Sequence, residues 1–527
     1  MERWKAPRTV IDLLDRNLRD FPKREAFVSV SYLTGQEVRW TWEDFDNVTD
    51  QWANALQKMG VKKGVKVALL LANCAEGYLT YMAILKRGAV LVPVNTRLVG
   101  RELEYIFNHS EAEFLIFGDA NLQVMGGIRS TLKFLKKFIL LAKDESLVPS
   151  WALSFRELQD PELRKRARVK IRNDDQADLI YTTGTTGRPK GCILIHANKI
   201  ACGRMIGMTQ GYRRLWHGWD RVQNAFPFFT STGVSSVYMP WLYYGYTMIL
   251  EPAFDVEKAL QTIEKERSTV YLAAPSMFIL IMNHPKFKDY DTSSIRTFGY
   301  GGSAMPEEVM RRIYDNWPQV RLYNVYGLTE GGTGGLCCPP ADALRKIGSI
   351  GIPWGPDQEC RIVDEQDRDV PVGEVGEIIL RGPNIMKGYY KDPKATREAL
   401  RGGWLHTGDM GRFDEEGYVY YTDRKKDMIV RGGFNIYPVE VENVLYEHPA
   451  VAQCAVVGKS HPILGEDVMA VVVLKPDQKT TTEELTEFCK DKLADFKRPR
   501  IIEFRESLPI NPMGKVDKKI LRASIQS

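Results

Sequence analysis

A stretch of small, polar and basic residues, YTTGTTGRPKG (Tyr181–Gly191), has the composition of a phosphate-binding loop. Its glycines let the backbone approach a ligand closely, and its threonine hydroxyls and Lys190 can bind an anion. The spacing is neither that of the nucleotide P-loop nor that of the dinucleotide motif, because Gly184 and Gly187 are three residues apart and no serine or threonine follows Lys190. Residue types alone therefore leave two interpretations, a phosphate loop and a flexible surface turn.

The elements around this loop alternate between helix and strand patterns. TWEDFDNVTDQWANALQKMG has a capping box at Thr41 and Asp44, apolar residues three or four apart, and Gly60 at its end, so we predict a helix. A second helical pattern covers Glu76–Arg87. Short apolar runs typical of buried strands occupy Val65–Leu71, Gly88–Val94, Glu113–Phe117, Lys137–Ala142, Thr269–Ala274, Ile295–Gly302 and Val320–Gly327. This alternation predicts parallel sheets with helices on their faces.

The pattern changes near Gly348. From there to about Tyr421 the strand patterns are short and are separated by glycine, proline and aspartate, which is typical of antiparallel sheet or a barrel. The last hundred residues form a separate α/β pattern, with helices predicted at Val439–Glu447 and Glu483–Leu493. The charged run DRKKD (Asp423–Asp427) marks the boundary before it.

Composition excludes several classes of protein. A chain of 527 residues is too long for one ordinary core, so we expect two or more domains. The net charge of +5 gives no strongly basic surface, which argues against nucleic-acid binding. The cysteines lack C-x-x-C spacing and the histidines lack an H-E-x-x-H pattern, so neither a disulfide framework nor a structural metal site is expected.

Membrane segments are also not expected. The N-terminus lacks the apolar run of a signal peptide, and polar residues interrupt the most apolar region, Val67–Val94. A soluble cytoplasmic protein is the expectation. The basic stretch Leu132–Lys143 could lie on a membrane surface, although a helix end that runs into a buried strand is the favoured interpretation.

The loop and five further stretches resemble, in order, the signature motifs of the adenylate-forming enzymes. This superfamily comprises acyl-CoA synthetases, peptide-synthetase adenylation domains and luciferases. The five stretches are YGGSAMP (Tyr300–Pro306), YNVYGLTEG (Tyr323–Gly331), WLHTGD (Trp404–Asp409), DRKKDMIVRGGFNIYPVEVE (Asp423–Glu442) and PINPMGKVDK (Pro509–Lys518). Six motifs in the family's order span nearly the whole chain, and the resemblance is greatest to the AMP-forming acyl-CoA ligases.

The resemblance implies an α/β fold with two domains. The large N-terminal AMP-binding domain (1–423) would contain two parallel-rich sheets with helices plus a distorted β-barrel. A hinge (424–427) would connect it to a small mobile α/β C-terminal domain (428–527). In this family the C-terminal domain rotates between half-reactions about one residue, which is Lys426 in this chain. A charged, exposed residue can absorb that change without disturbing a core.

The resemblance also implies a two-step reaction. The family joins a carboxylate to the α-phosphate of ATP, releases pyrophosphate, and then passes the acyl group to a thiol. Because carboxylate and phosphate are both negative, positive charge and fixed donors must offset their repulsion. Lys515 resembles the catalytic lysine that bridges the two. Glu330 resembles the ligand that holds Mg²⁺ on the ATP phosphates, and Thr329 resembles a phosphate contact.

The nucleotide site follows from the same motifs. Asp409 resembles the carboxylate that binds the ribose hydroxyls, Arg424 an arginine that contacts ribose or phosphate, and Tyr326 the aromatic residue that stacks on adenine. The loop from Thr182 to Lys190 is expected to hold the β- and γ-phosphates. The complete expected set is Thr182, Thr183, Gly184, Thr185, Thr186, Lys190, Gly301, Gly302, Ser303, Asn324, Val325, Tyr326, Gly327, Thr329, Asp409 and Arg424.

The acid is expected to bind near NAFPFFTSTGV (Asn224–Val234). The pocket residues that we expect are Phe229, Thr230, Gly301, Gly331 and Gly332. Many acyl-CoA synthetases carry histidine where this chain has Thr230, which leaves open what orients the carboxylate. No acidic residue occurs from Asn224 to Leu250, so an α-amino acid would bring an ammonium without a partner. The aromatic residues Phe228, Phe229, Trp241, Tyr243 and Tyr244 suggest an apolar acid, aliphatic or aromatic, but could equally belong to the core.

Coenzyme A is the expected acceptor. The stretch RGGFN contains Arg431, Gly432 and Gly433, and the resemblance implies that rotation brings it to the site, where its glycines would line a narrow pantetheine tunnel. Only 12 residues follow Lys515, so no carrier domain is expected there. The sequence thus predicts an AMP-forming acyl-CoA ligase that uses ATP, Mg²⁺ and coenzyme A. A ligase that loads a carrier protein and a luciferase-like oxygenase are the alternatives, and a homodimer stays open.

Overall fold

The computed structural model describes residues 6–163, 169–182, 188–209, 211, 220–302, 305, 307–353, 355, 357–424, 427–431, 434–490, 492–510 and 516–526. The strands, numbered along the chain, are β1 (Glu25–Val30), β2 (Glu37–Thr41), β3 (Lys66–Leu70), β4 (Val90–Pro93), β5 (Phe114–Gly118), β6 (Lys137–Leu141), β7 (Leu153–Ser154), β8 (Gln176–Thr182), β9 (Lys190–Ile195), β10 (Arg221–Asn224), β11 (Thr247–Leu250), β12 (Val270–Leu272), β13 (Thr297–Gly301), β14 (Arg321–Tyr326), β15 (Leu336–Cys338), β16 (Ser349–Pro353), β17 (Glu359–Val363), β18 (Gly376–Arg381), β19 (Gly388–Tyr389), β20 (Leu405–Phe413), β21 (Val419–Arg424), β22 (Ile429–Arg431), β23 (Phe434–Ile436), β24 (Val451–His461), β25 (Gly465–Leu474) and β26 (Ile501–Phe504).

The α-helices are α1 (Val10–Asp20), α2 (Trp42–Lys58), α3 (Ala75–Lys86), α4 (Gly100–Ser110), α5 (Leu122–Ile128), α6 (His196–Thr209), α7 (Tyr238–Tyr244), α8 (Val256–Glu266), α9 (Pro275–Met282), α10 (Glu307–Asn316), α11 (Pro393–Ala399), α12 (Pro438–Tyr446), α13 (Thr482–Phe488) and α14 (Lys518–Gln526). Two shorter elements belong to the candidate site. They are a π-helix (Thr232–Val237) directly before α7 and a 3-10 turn (Thr329–Gly331) after β14.

Helix α2 shows how local sequence sets an element and its packing. The Thr41 hydroxyl accepts from the Asp44 N–H at 3.1 Å, and the Asp44 carboxylate accepts from the Thr41 N–H at 3.0 Å. These bonds are the predicted capping box, which satisfies donors that a helix N-terminus otherwise leaves unpaired. The apolar face packs inward, where the rings of Trp42 and Phe45 lie 4.9 and 5.1 Å from the Trp241 ring. The predicted helix is confirmed.

Within the described residues, one sheet has eight strands in the order β19-β9-β8-β4-β3-β5-β6-β7. Strands β4, β3, β5, β6 and β7 pair in parallel, as the alternating pattern predicts. Strands β8 and β9, on either side of the expected phosphate loop, pair antiparallel. The basic stretch before β6 leads into this buried strand, and the 3-10 turn that precedes it (Arg129–Thr131) follows directly on α5.

A larger sheet in the described part of the chain has the order β17-β18-β20-β21-β16-β15-β14-β13-β12-β10-β11-β1-β2. Its centre, from β11 through β10, β12 and β13 to β14, is parallel. From β15 onward the pairing is antiparallel, so the short strands after Gly348 extend this sheet. The distorted barrel that the resemblance implies is not confirmed by these pairings, which leave β17 at an edge of the sheet.

The two large sheets share one apolar core. Phe27 of β1 and Val222 of β10 come from the larger sheet, and Leu69 of β3 and Ile180 of β8 come from the smaller one. Helix α3 is buried along its whole length, and its Tyr78 packs 5.3 Å from the Phe27 ring. Burial of this much apolar surface is the main favourable contribution to folding, so the two sheets stabilise each other.

A third sheet, with the order β23-β22-β25-β24 and β26 beside β25, belongs to a separate C-terminal domain. This domain has its own core, which includes Val441 and Leu445 of α12 and Val456 of β24. Helix α13 ends at Phe488 and is shorter than predicted, because the Lys490 N–H bonds three residues back instead of four. In the part of the chain that the structure describes, no helix combines the length and apolarity needed to cross a membrane.

Candidate active site

The carboxyl ends of β13 and β14 bring two of the expected motifs to one edge of the larger sheet. Gly301 is in register with Val325, and a Cβ on Gly301 would lie only 2.4 Å from the Val325 carbonyl oxygen. A side chain there would force the two strands apart. The Asn324 side chain donates to the Ser349 carbonyl at 3.0 Å and fixes β14 against β16. Ligands of parallel sheets bind at such edges.

The turn after β14 places Thr329 and Glu330 at this edge. The backbone turns sharply at Gly332, which has a φ of +59°, and a Cβ there would lie 2.5 Å from the Asn384 carbonyl oxygen. The buried Asn384 side chain donates to the Gly331 carbonyl at 2.6 Å, and Met386 N–H donates to the Glu330 carbonyl at 2.8 Å. The segment after β18 therefore fixes the position of the turn through these two hydrogen bonds.

Glu330 has a partner that the sequence analysis did not identify. The Tyr389 hydroxyl donates to Glu330 Oε1 at 2.8 Å. The Lys190 ammonium lies over the same ring, 5.1 Å from its centre. Burial and the nearby Glu330 carboxylate raise the pKa of the Tyr389 hydroxyl, so it stays protonated and keeps donating.

Strand pairing explains why Lys190 and Tyr389 meet. Lys190 is the first residue of β9, and Tyr389 pairs with Cys192 of that strand. Across the hairpin, Thr182 is in register with Lys190, so the expected phosphate loop leaves from and returns to this point. Thr183, Gly184, Thr185 and Thr186 lie outside the described residues, and their phosphate contacts stay predictions. The two described ends of the loop, Thr182 and Lys190, therefore lie beside each other, and Lys190 lies over the ring of the tyrosine that binds Glu330.

Tyr326 and Asp409 are joined directly. The Tyr326 hydroxyl donates to Asp409 Oδ2 at 2.6 Å, and Asp409 is only 3% exposed. Burial and this carboxylate raise the pKa of Tyr326. Asp409 lies on β20 in register with Arg424 on β21, so the backbone places two expected ribose contacts side by side. The motif did not predict this hydroxyl contact, and stacking of Tyr326 on adenine stays a prediction.

The expected acid-binding segment folds into a capped π-helix. The Thr230 hydroxyl donates to the Pro227 carbonyl at 2.7 Å and accepts from the Gly233 N–H at 3.0 Å. It therefore serves as a helix cap, which a histidine at this position would not provide in the same way. The next residue, Ser231, is half-buried and accepts from the Thr329 hydroxyl at 2.9 Å. The acid-binding segment thus touches the turn that carries Glu330.

Most of the aromatic residues of this segment belong to the core. Phe228, Trp241 and Tyr244 lie in the core cluster, and Trp241 donates its indole N–H to the Ala26 carbonyl at 2.9 Å. Tyr243 packs against that cluster. Phe229 lies at the margin, at 9% exposed. The composition of the segment is therefore explained largely by packing, and only Phe229 stays a pocket candidate.

The C-terminal candidates lie on a different sheet. Arg431 is on β22 and pairs with Asp467, with 2.7 Å between Nε and Oδ1. Several expected residues lie outside the described part of the chain, and their roles stay predictions. They are Lys515, Lys426, Gly432, Gly433 and Ser303.

A Mg²⁺ ion would have Glu330 as its protein ligand at this site. Among the described residues, no group of three histidine, cysteine or acidic side chains is close enough to hold a metal. A hard cation takes oxygen ligands and keeps several of them from water and substrate phosphates. One carboxylate beside an expected phosphate loop fits Mg²⁺ bound together with ATP, and does not fit a metal held by the protein alone.

Fold and site together define an adenylate-forming enzyme. A family model described as AMP-binding enzyme matches residues 14–390, and a second, described as AMP-binding enzyme C-terminal domain, matches residues 440–515. The first match covers well over half of the chain. The chain belongs to the AMP-binding enzyme family.

Similar proteins are ligases that use coenzyme A. A long-chain-fatty-acid–CoA ligase of Bacillus subtilis (strain 168) is 35% identical, over 90% of this chain and 89% of the relative. A feruloyl-CoA synthase of an Amycolatopsis species is also 35% identical, over 92% of this chain and 93% of the relative. Among solved structures, the anthranilate CoA ligase AuaEII in complex with anthranoyl-AMP has a TM-score of 0.89 at 28% identity, and the match covers 99% of this chain and 98% of that one.

Proposed function

We propose that this protein is an AMP-forming acyl-CoA ligase for an apolar carboxylic acid. In the first half-reaction the acid carboxylate attacks the α-phosphate of ATP, and the bond to pyrophosphate breaks. In the second, the coenzyme A thiol attacks the acyl carbonyl and AMP leaves. ATP and coenzyme A are both substrates, and the thiol proton is lost to solvent or a base.

The observation that carries this proposal is the contact between Thr329 and Ser231. It places the expected acid segment against the turn whose next residue is Glu330, and Tyr389 links that carboxylate to Lys190 at the end of the phosphate loop. A carboxylate bound beside Ser231 would therefore lie next to bound phosphates. Holding two reactants in one geometry removes much of the entropic barrier of their reaction.

Each group would have a separate task. Lys190 and the loop hold the departing phosphates, Asp409 binds the ribose, and Lys515 offsets the charge of carboxylate and α-phosphate. Mg²⁺, held by Glu330, would supply positive charge to the phosphates. After adenylation, rotation about Lys426 withdraws Lys515 and brings Arg431 and its neighbouring glycines to the site, where the thiol enters.

An apolar acid is supported by the absence of charge in the acid segment. No acidic residue lies between Asn224 and Leu250, so an ammonium on the substrate would have no partner there. The relatives act, by name, on a long-chain fatty acid and on ferulic acid. We therefore expect the substrate to be an aliphatic or aromatic acid. We expect the acceptor thiol to be free coenzyme A.

The test is the initial rate of AMP formation with ATP, Mg²⁺ and a panel of acids, measured with and without coenzyme A. The panel spans octanoate, dodecanoate, palmitate, ferulate and benzoate. Coenzyme A-dependent AMP and thioester with at least one acid support the ligase. Acid-dependent ATP–pyrophosphate exchange without a thioester would instead indicate carrier loading, and oxygen uptake during turnover would indicate an oxygenase.

A further inference from the structure

Lys199 of α6 is a buried lysine to which no role has been given so far. It is 1% exposed in its side chain, and its ammonium lies 2.5 Å from Oδ2 of the equally buried Asp178 on β8. The Tyr81 hydroxyl donates to both Asp178 oxygens, at 2.8 and 3.0 Å. A buried ion pair is tolerated only when hydrogen bonds satisfy both partners, and this carboxylate is fully bonded.

The same ammonium binds the π-helix of the acid segment. It donates to the Val234 carbonyl and to the Ser235 hydroxyl, both at 2.8 Å. An ammonium has three protons to donate, and Asp178, Val234 and Ser235 account for them. Lys199 therefore ties β8, which leads into the phosphate loop, to the helix that follows Thr230 and Ser231.

Helix α6 packs closely against α7, and this packing brings Lys199 within reach of the π-helix. Gly203, four residues further along α6, has no space for a side chain, because a Cβ there would lie 2.7 Å from the Met239 carbonyl oxygen, and a Cβ on Gly207 would overlap the Tyr244 ring. Residues four apart lie on the same face of a helix. The face of α6 that starts at Lys199 is thus in direct contact with α7 and the π-helix before it.

The π-helix has a local cause and leaves one carbonyl to Lys199. Pro240, near the start of α7, lacks an N–H and its ring crowds the preceding turn, which favours a widened helix. The Tyr238 N–H, which a regular α-helix would direct to Val234, is directed to Gly233 and Ser235. Lys199 donates to the Val234 carbonyl, to which this N–H is not directed. Single π-turns are rare and frequent at functional sites.

The direction of the Ser231 side chain depends on whether this turn is a π-turn or an α-turn. One residue advances a helix by roughly 100°, so relaxation of the π-turn to an α-turn would rotate the preceding residues by about that angle. Ser231 would then leave Thr329. Gly233 restricts the segment further, because a Cβ there would lie 2.4 Å from the Pro227 carbonyl oxygen.

We propose that Lys199, with Asp178 as its counter-ion, is a positioning residue for the acid. It holds the π-turn open and so keeps Ser231 beside Thr329, where the substrate carboxylate meets the nucleotide. This inference rests on the proposed function. It concerns binding of the acid and not of ATP, because the groups that Lys199 binds at its free end, the Val234 carbonyl and the Ser235 hydroxyl, both belong to the acid segment.

The test is the double variant Lys199→Met/Asp178→Asn, which removes both charges at similar volume. The single variant Lys199→Met leaves a buried carboxylate without its counter-ion and is expected to fold poorly. ATP–pyrophosphate exchange with dodecanoate and with ferulate gives the KM of each acid and of ATP. We expect the KM for the acid that wild type prefers to rise about tenfold, and the KM for ATP to change by less than about twofold. Ser231→Ala should raise the same KM.

A matched control removes another buried ion pair. Lys86 of α3 is 3% exposed in its side chain and binds two carboxylates of α2, the buried Asp50 at 2.7 Å and the less buried Asp46 at 2.6 Å. Lys86→Met/Asp50→Asn should lower Tm without changing the ratio of the two KM values.

The outcomes separate the two proposals. A double variant at Lys199 with an unchanged acid KM, or with equal changes in both KM values, would overturn the positioning role while the ligase stands. A wild-type protein that shows no acid-dependent exchange with any acid of the panel contradicts the proposed function, and with it this inference.

Discussion

The Tyr389 hydroxyl donates to Oε1 of Glu330 at 2.8 Å, and this bond fixes the orientation of the carboxylate before any ligand binds. One oxygen is thereby engaged, and the other can face the phosphates. Preorganised groups act more strongly than groups that must first be ordered, because no reorganisation is needed at the moment of reaction.

Tyr389→Phe should therefore weaken binding of Mg²⁺·ATP without altering the acid site. Loss of one hydrogen bond to a charged group corresponds to about a tenfold rise in the KM for Mg²⁺·ATP. Calorimetric titration with a non-hydrolysable ATP analogue and Mg²⁺ measures the same loss without turnover. Tyr390→Phe is the matched control, because the Tyr390 hydroxyl binds Glu111 at 2.7 Å instead. Equal effects of the two variants would contradict the role of Tyr389.

Glu330→Gln should slow adenylation far more than it affects folding. The amide keeps the shape and can still accept from Tyr389, but it lacks the charge that holds a hard cation. We expect kcat for ATP–pyrophosphate exchange to fall about 100-fold. Glu359→Gln, which breaks an exposed ion pair with Arg381, controls for loss of a carboxylate. Full activity of Glu330→Gln over a range of Mg²⁺ concentrations would exclude a metal ligand at this position.

Lys515→Ala should separate the two half-reactions. Formation of the acyl-adenylate should fall by about three orders of magnitude, because the charge between carboxylate and α-phosphate is lost. Thioester formation from preformed acyl-AMP should be spared. Single-turnover assays of each half-reaction measure both rates. A parallel loss in the two assays would show that Lys515 supports the structure and not the first step.

Lys426→Pro tests the hinge, and it should impair the second half-reaction where Lys515→Ala impairs the first. Proline fixes φ near −65° and limits the backbone change that rotation requires. Adenylation should continue at a rate within about threefold of wild type, whereas the thioester step should fall about tenfold or more. Lys425→Pro, one residue earlier, tests whether the effect is specific to position 426. Equal loss of both half-reactions would refute the hinge assignment.

His196 should make the protein less stable in mild acid. Its ring is fully buried, Nδ1 accepts from the Val10 N–H at 3.2 Å, and burial lowers its pKa to about 4. The unfolded chain, with the ordinary pKa, binds the proton more readily, so stability is complete above about pH 6.5 and falls as the pH drops towards 4. The loss at the acid end is about 3 kcal/mol.

His196→Asn keeps an acceptor for the Val10 N–H and removes the titrating group. Its Tm should therefore change less than that of wild type between pH 7 and pH 5. His448→Asn, in the C-terminal domain, should retain the wild-type pH dependence. An undiminished loss of Tm in His196→Asn would assign the acid sensitivity to other groups.

Sequence patterns predicted the individual helices and strands of this fold better than the pairing of the strands into sheets. The capping box at Thr41 and the apolar runs of β3 to β6 are formed by residues that are close together in the chain. Such local patterns can be seen in the sequence. The continuation of the larger sheet through β15 and β16 depends on long-range pairing, which has no local signal. Helix α13 was predicted too long, since nothing in its composition marks the change of hydrogen bonding after Phe488.

The candidate site shows the same difference between local sequence signals and long-range contacts. The motifs brought Gly301, Tyr326, Glu330 and Asp409 into one hypothesis. The structure places the first three at one sheet edge and joins Asp409 to Tyr326 by a hydrogen bond. Tyr389, Ser231 and Lys199 were missed, because each acts through a contact with a residue far away in the chain. The π-helix could have been suspected from Pro240 within an otherwise helical stretch.

The separate core of the C-terminal domain has a consequence for how such an enzyme diversifies. Val441, Leu445 and Val456 pack among residues of their own domain, so substitutions there change its stability without loosening the core between the two large sheets. Selection can then alter the domain that we propose to receive the thiol while the part that we propose to activate the acid is preserved. A chain whose C-terminal domain does not share its core with the large sheets is suited to acquire new acceptors for the same adenylate.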